Sequence, residues 1–165
     1  MKTFNTLKVV KKINYPLLIF SIALCESAGI IGSLFTFSAI STWYAFLVKP
    51  SFSPPNYLFG PVWVILYLLM GISLYLIWQK GKKTFGLVKL FLIHLVLNSL
   101  WSIIFFGFKN LGLAFVEILI LWGIILVLAF KFYKVNKTAA YLLIPYQLWV
   151  SFATILNLSV WLLNR

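Results

Sequence analysis

Five long apolar runs, separated by short polar stretches, set the pattern of this chain. They cover about residues 15–37, 60–79, 87–107, 111–130 and 139–163. As a helix, each is long enough to cross a hydrocarbon core, which needs about 20 residues. The link Gly107-Phe108-Lys109-Asn110 is so short that the third and fourth helices are expected to be antiparallel neighbours. The first run is longer than a signal-peptide core of about 7–15 residues and has no clean small-x-small site, so a retained helix is expected. The prediction is an all-α bundle of five transmembrane helices forming one membrane domain over residues 1–165.

The connection between the first two helices is unlike the others. Pro50, Pro54 and Pro55 each lack an N–H and push the preceding residue toward extended backbone. The same segment carries Trp43, Tyr44, Phe46, Phe52, Tyr57 and Phe59, rings that favour burial or a membrane interface. A proline-stiffened aromatic loop reads as a lid over the bundle. Pro61 is expected in the first turn of the second helix, where its missing N–H has no consequence.

Composition agrees with the pattern. Of 165 residues, 63% are hydrophobic and 10% charged, with 14 Lys+Arg against 2 Asp+Glu. A soluble domain carries about a quarter charged residues. The net charge of +12 does not point to nucleic acid, because the basic residues sit at the ends of apolar runs. Eleven lysines fall on one side of the expected membrane: Lys2, Lys8, Lys11, Lys12, Lys80, Lys82, Lys83, Lys89, Lys131, Lys134 and Lys137. Lys49, Lys109 and Arg165 fall on the other. In a bacterial inner membrane this asymmetry places the N-terminus in the cytoplasm and the aromatic loop outside, with lipid headgroups as contacts. The one cysteine, Cys25, lies inside an apolar run and has no internal partner for a disulfide.

Polar residues within the spans are the functional candidates. Both acids of the chain are there, Glu26 in the first run and Glu117 in the fourth. Each is open to two readings, a ligand contact or proton-linked group, and a neutral carboxyl bonding helix to helix. His94, Asn98, Trp101 and Phe105 share one face of the third helix, a candidate cavity wall. His94 has no second ligand of matching geometry, so no metal site is expected. In the fifth run Trp149, Phe152 and Ala153 form another face, and Pro145 is expected to kink the helix near its start. Ala28/Gly32 and Gly29/Ser33 have the small-xxx-small spacing that admits a neighbouring backbone, within the bundle or across a dimer. Walker, nucleophile-elbow and dinucleotide motifs are absent, so no conventional enzyme is expected.

The stretch from Trp43 to Gly71, WYxxLxKPxFxPPxxxFGPVWxxLYxxMG, resembles the TspO/MBR family of translocator and tryptophan-rich sensory proteins. Leu97–Phe106 and Leu142–Asn157 carry two further blocks of the resemblance, which spans nearly the whole chain beyond the basic N-terminus. It implies a five-helix bundle with a ligand pocket beneath the loop, and porphyrins, notably protoporphyrin IX, as ligands with no cofactor required. Trp63 and Trp149 match tryptophans implicated in porphyrin binding and light-dependent porphyrin breakdown. Tyr44 and Pro54 would belong to the lid, and Asn98 and Ala153 to the cavity wall. An acidic residue is frequent at the position of Glu117. Homodimers occur in the family, so a second copy is an implied partner. Phe52 stands where some members have Trp. No Tyr follows Tyr146, so the C-terminal cholesterol-recognition pattern of animal members is incomplete and dedicated sterol binding is not expected. Two alternatives remain beside binding: transport of porphyrins or small amphiphiles, and a membrane sensor acting through protein partners.

Overall fold

The computed structural model describes residues 13–165, and every regular element among them is helical. The helices are α1 (Tyr15–Ser41), α2 (Asn56–Trp78), α3 (Phe85–Ser102), α4 (Leu111–Tyr133), α5 (Lys137–Leu142) and α6 (Ile144–Leu163). A π-helical turn, Ile103–Gly107, extends α3, and α5 with α6 makes the fifth span. Among the described residues five spans are long and apolar enough to cross a membrane, which is what a bilayer demands of a chain that must satisfy its own backbone. The chain is a multi-pass integral membrane protein. Lys2, Lys8, Lys11 and Lys12 lie outside the described residues.

Where the boundaries differ from expectation, local chemistry accounts for it. α1 runs to Ser41 because hydroxyls bond back to the preceding turn: Thr36 Oγ1 donates to the Gly32 carbonyl at 3.0 Å and Thr42 Oγ1 to that of Ser38 at 2.7 Å. α2 starts at Asn56, directly after the extended Pro55, so Pro61 stands inside the helix rather than in its first turn. Its ring removes the donor that would otherwise reach the Tyr57 carbonyl. The fifth span breaks at Leu143, and Pro145 opens α6, a sharper interruption than a kink. Asparagine side chains cap three helices: Asn14 accepts from Leu17 N–H, Asn110 from Leu113 N–H and Asn136 from Ala139 N–H.

Small residues let the helices close on one another. A Cβ on Gly71 would lie 2.6 Å from Ile22 Cα, and one on Gly29 would lie 2.3 Å from the Tyr67 ring, so α1 and α2 touch at glycine. Ser99 Oγ on α3 donates to the Ala28 carbonyl on α1 at 3.0 Å. Within the chain, therefore, the small-residue face of α1 receives α2 and α3. Away from the loop, the core is filled by Met70, Leu74, Ile77, Phe91, Leu128 and Phe132. At the loop end a second cluster gathers Tyr44, Ile104, Phe105, Leu156 and Val160.

Candidate functional site

On the loop side the four helices α1, α2, α3 and α6 stand apart around a cavity of about 370 Å³. Volumes of this order hold small-molecule ligands. α1 contributes Glu26, Gly29, Ser33, Thr36 and Ile40, spaced by three and four residues along one face. α2 adds Phe59, Trp63 and Tyr67, and α3 with its π-turn adds Trp101, Phe105 and Phe106. α6 completes the wall with Trp149, Ala153, Leu156 and Asn157. Ile30, Phe37 and Val64 also border it and are 62%, 86% and 57% exposed, so the opening faces the bilayer between α1 and α2.

The aromatic rings of the wall are held by one another. Trp63 stacks on Tyr67 with centroids 5.3 Å apart and planes at 28°, and meets the edge of Tyr146 at 6.2 Å. Trp149 is flanked by Phe59 at 5.9 Å and Phe152 at 5.7 Å. Trp101 lies 5.0 Å from Phe105, and its Nε1–H donates to Asn157 Oδ1 at 3.1 Å. Asn157 in turn donates from Nδ2 to the Leu111 carbonyl at 3.0 Å, which ties α3, α4 and α6 together at that level.

The loop is fastened at two places. Tyr44 is buried against Phe105 and Phe106, and Trp43 meets Phe105 at 5.8 Å. Burial raises the Tyr44 phenol above its ordinary range, because the charged form would lose its water. The Lys49 ammonium stands 4.7 Å from the Tyr44 ring centroid. Farther along the loop, away from the cavity lining, Asn164 grips Val48 with two bonds, accepting from its N–H and donating to its carbonyl, each at 2.9 Å. Phe46 and Tyr57 turn outward, 87% and 79% exposed. Only part of the loop's aromatic content therefore closes the site.

Of the residues singled out in the sequence, Tyr44, Trp63, Trp101, Trp149 and Ala153 line the cavity. Pro54, Asn98, Glu117 and Phe152 do not. Pro54 is half-buried in the loop, and Phe152 packs outside the wall against Phe52 and Trp149. Asn98 is screened by Tyr67, which lines the cavity and donates its hydroxyl hydrogen to Asn98 Oδ1. Glu117 is buried on α4, a helix packed on α3 and α6 that contributes nothing to the wall. Among the described residues neither Glu117 oxygen meets a hydrogen-bond donor. The carboxyl at the cavity is Glu26. Its signal was the polar and small face it shares with Gly29, Ser33 and Thr36; Tyr67 and Asn157 were marked by lying four residues beyond Trp63 and Ala153.

Beneath Trp63 runs a buried chain of hydrogen bonds. Asn98 Nδ2 donates to the Tyr146 hydroxyl at 2.9 Å, and that hydroxyl lies 3.0 Å from His94 Nε2. His94 Nδ1 is 3.1 Å from the Phe91 carbonyl. Both ring nitrogens of the histidine are thus occupied within the protein.

The model of the TspO/MBR family matches residues 21–162. The chain belongs to the TspO/MBR family. It is 43% identical over 148 residues to the tryptophan-rich protein TspO of Archaeoglobus fulgidus, covering 89% of this chain and 96% of that one. To the tryptophan-rich protein TspO of Chlorobaculum tepidum it is 44% identical over 147 residues, covering 87% and 92%. The human translocator protein is 39% identical over 135 residues, covering 79% and 80%. The TspO/MBR match covers every residue that lines the cavity.

Proposed function

We propose that this TspO/MBR protein binds a flat aromatic macrocycle of the tetrapyrrole class, such as protoporphyrin IX, in the cavity between α1, α2, α3 and α6. The carrying observation is that Trp63, Trp101 and Trp149, from three different helices, border one apolar chamber. A planar macrocycle gains from burial and from offset or edge-on ring contacts, and a few polar groups fix its orientation. Glu26, Ser33 and Thr36 are the polar groups on α1 that reach it. Pyrrole N–H donors suit the Glu26 carboxyl, and the Lys49 ammonium above Tyr44 suits an acidic substituent near the loop. Entry is from the bilayer, through the gap bordered by Ile30, Phe37 and Val64.

Light gives the site its chemistry in this reading. Trp63 and Trp149 border the space a macrocycle would fill, so an excited macrocycle can draw an electron from an indole, which starts its breakdown without a general acid or base. Lys80, Lys82, Lys83, Lys89, Lys131, Lys134 and Lys137 cluster at the end away from the loop, which supports a reading with the N-terminus on the cytoplasmic side of an inner membrane.

The test is titration of the purified protein with protoporphyrin IX, followed by fluorescence quenching and by bleaching under light. Saturable quenching that weakens at least tenfold in Trp63→Phe/Trp149→Phe is expected. Unchanged affinity and bleaching in that variant would remove both residues from the role.

A further inference from the structure

We propose that Tyr146 and His94 form a redox pair that takes the electron hole from Trp63. This rests on the light-driven reading above and adds where the oxidising equivalent goes next. The Phe91 carbonyl can only accept, so His94 Nδ1 carries the imidazole proton and Nε2 presents a lone pair. The Tyr146 oxygen already accepts from Asn98 Nδ2, so its own hydrogen points at His94 Nε2, 3.0 Å away. Tyr146 and His94 are both 0% exposed, and the Tyr146 ring meets that of Trp63 edge-on at 6.2 Å. The redox partner of the cavity indole is therefore a phenol with a base already in hydrogen-bond contact.

The step balances as follows. An excited macrocycle in the cavity takes one electron from Trp63, leaving an indole radical cation and a macrocycle radical anion. Tyr146 returns one electron to Trp63; its O–H bond breaks and an N–H bond forms at His94 Nε2. The products are a neutral Tyr146 radical, a His94 imidazolium and a restored Trp63. The unpaired electron has moved to Tyr146 and the positive charge beyond it to His94, both further from the macrocycle, which slows recombination.

The geometry also says why Tyr146 rather than Tyr67 holds the hole. Tyr67 stacks closer to Trp63, at 5.3 Å, but its hydroxyl donates to an amide oxygen, which is not a base. A phenol oxidised without losing its proton is a poor resting place for a hole. The chain has one histidine, so no other tyrosine has an imidazole partner.

The experiment is electron paramagnetic resonance of the reconstituted protein frozen under illumination, with protoporphyrin IX as probe and with ring-deuterated tyrosine to assign the spin. A tyrosyl signal is expected in the wild type and in Tyr67→Phe. It is expected to be lost in Tyr146→Phe and in His94→Gln, which keeps an acceptor for Tyr146 but not a basic nitrogen, leaving the spin on tryptophan. A ligand-free arm uses an ultraviolet pulse that ionises the indoles directly, and the same pattern is expected. If the macrocycle fails to bind while this arm yields the Tyr146 radical, the pair stands and the ligand reading falls. If neither arm gives a tyrosyl signal, or if the signal survives Tyr146→Phe, the pair is overturned.

Discussion

The Tyr67 ring is held between two demands: Trp63 stacks on one face at 5.3 Å, while the hydroxyl beyond it donates to the buried Asn98. One residue thus joins the cavity wall to the hydrogen-bonded core. Tyr67→Phe keeps the stack and leaves Asn98 Oδ1 without its donor. A buried acceptor deprived of its partner costs about 1–3 kcal/mol. The expected outcome is a lower melting temperature in detergent with porphyrin affinity retained within a few-fold. Trp63→Leu is expected to do the reverse, weakening quenching strongly while leaving the Asn98 network in place. A melting curve and a titration on each variant separate the two.

Gly29 decides whether that stack fits at all. A Cβ there would sit 2.3 Å from Tyr67 Cε2, so Gly29→Ala must push the ring or part α1 from α2. Overpacking of this kind costs about 1–3 kcal/mol, and here the displaced ring carries Trp63 with it. Gly29→Ala is expected to lower both thermal stability and ligand affinity. Gly60→Ala, on the same cavity wall with nothing within 4 Å of the new methyl, is expected to change neither by much. Equal loss in the two variants would argue against a role for the Gly29–Tyr67 contact.

The five spans could be read from the sequence because apolar length is nearly all that crossing a bilayer requires. Tryptophan positions were legible for a similar reason, since their order and spacing are specific. Boundaries were harder. The first apolar run ends at about residue 37, yet the Thr36 and Thr42 hydroxyls bond to the preceding turn and α1 continues to Ser41. Pro61 looks like a first-turn proline, but the three prolines before it set the start at Asn56. The site was legible where one helix face carries it and obscure where depth decides. Asn98 and Trp101 share a face of α3, yet Tyr67 comes between Asn98 and the cavity, a relation between two helices that spacing in one cannot express. Glu117 does not line the cavity because packing puts α4 behind the wall, and its spacing within one helix does not express that depth.

The loop's closure is tied by Asn164. Its side chain makes both bonds to Val48, and it sits at the C-cap of α6, 116 residues away in the chain. Each neutral hydrogen bond contributes about 1 kcal/mol, less where water competes. Asn164→Ala is expected to leave the bundle's melting temperature within a few degrees while loosening the segment 47–55. Faster protease cleavage in that segment and a faster porphyrin off-rate, with a smaller change in on-rate, are the measurements that check it. An unchanged off-rate would mean that Tyr44, wedged against Phe105 and Phe106, holds the loop without help.

The two acids are expected to part company under the same substitution. Glu26 borders the cavity, so Glu26→Gln exchanges a carboxyl for an amide directly against the ligand. Glu117 is buried behind it with both oxygens unpartnered among the described residues, and an unpartnered carboxyl inside a membrane protein is costly to keep. Glu117→Gln preserves shape and removes the ionisable group, so stability is expected to hold or rise, with porphyrin affinity within about twofold of wild type. Glu26→Gln is expected to shift affinity severalfold with little change in melting. Parallel titrations and melts of the two variants give the answer. A large affinity loss in Glu117→Gln without a fall in stability would place that carboxyl in contact with the ligand and redraw the wall of the site.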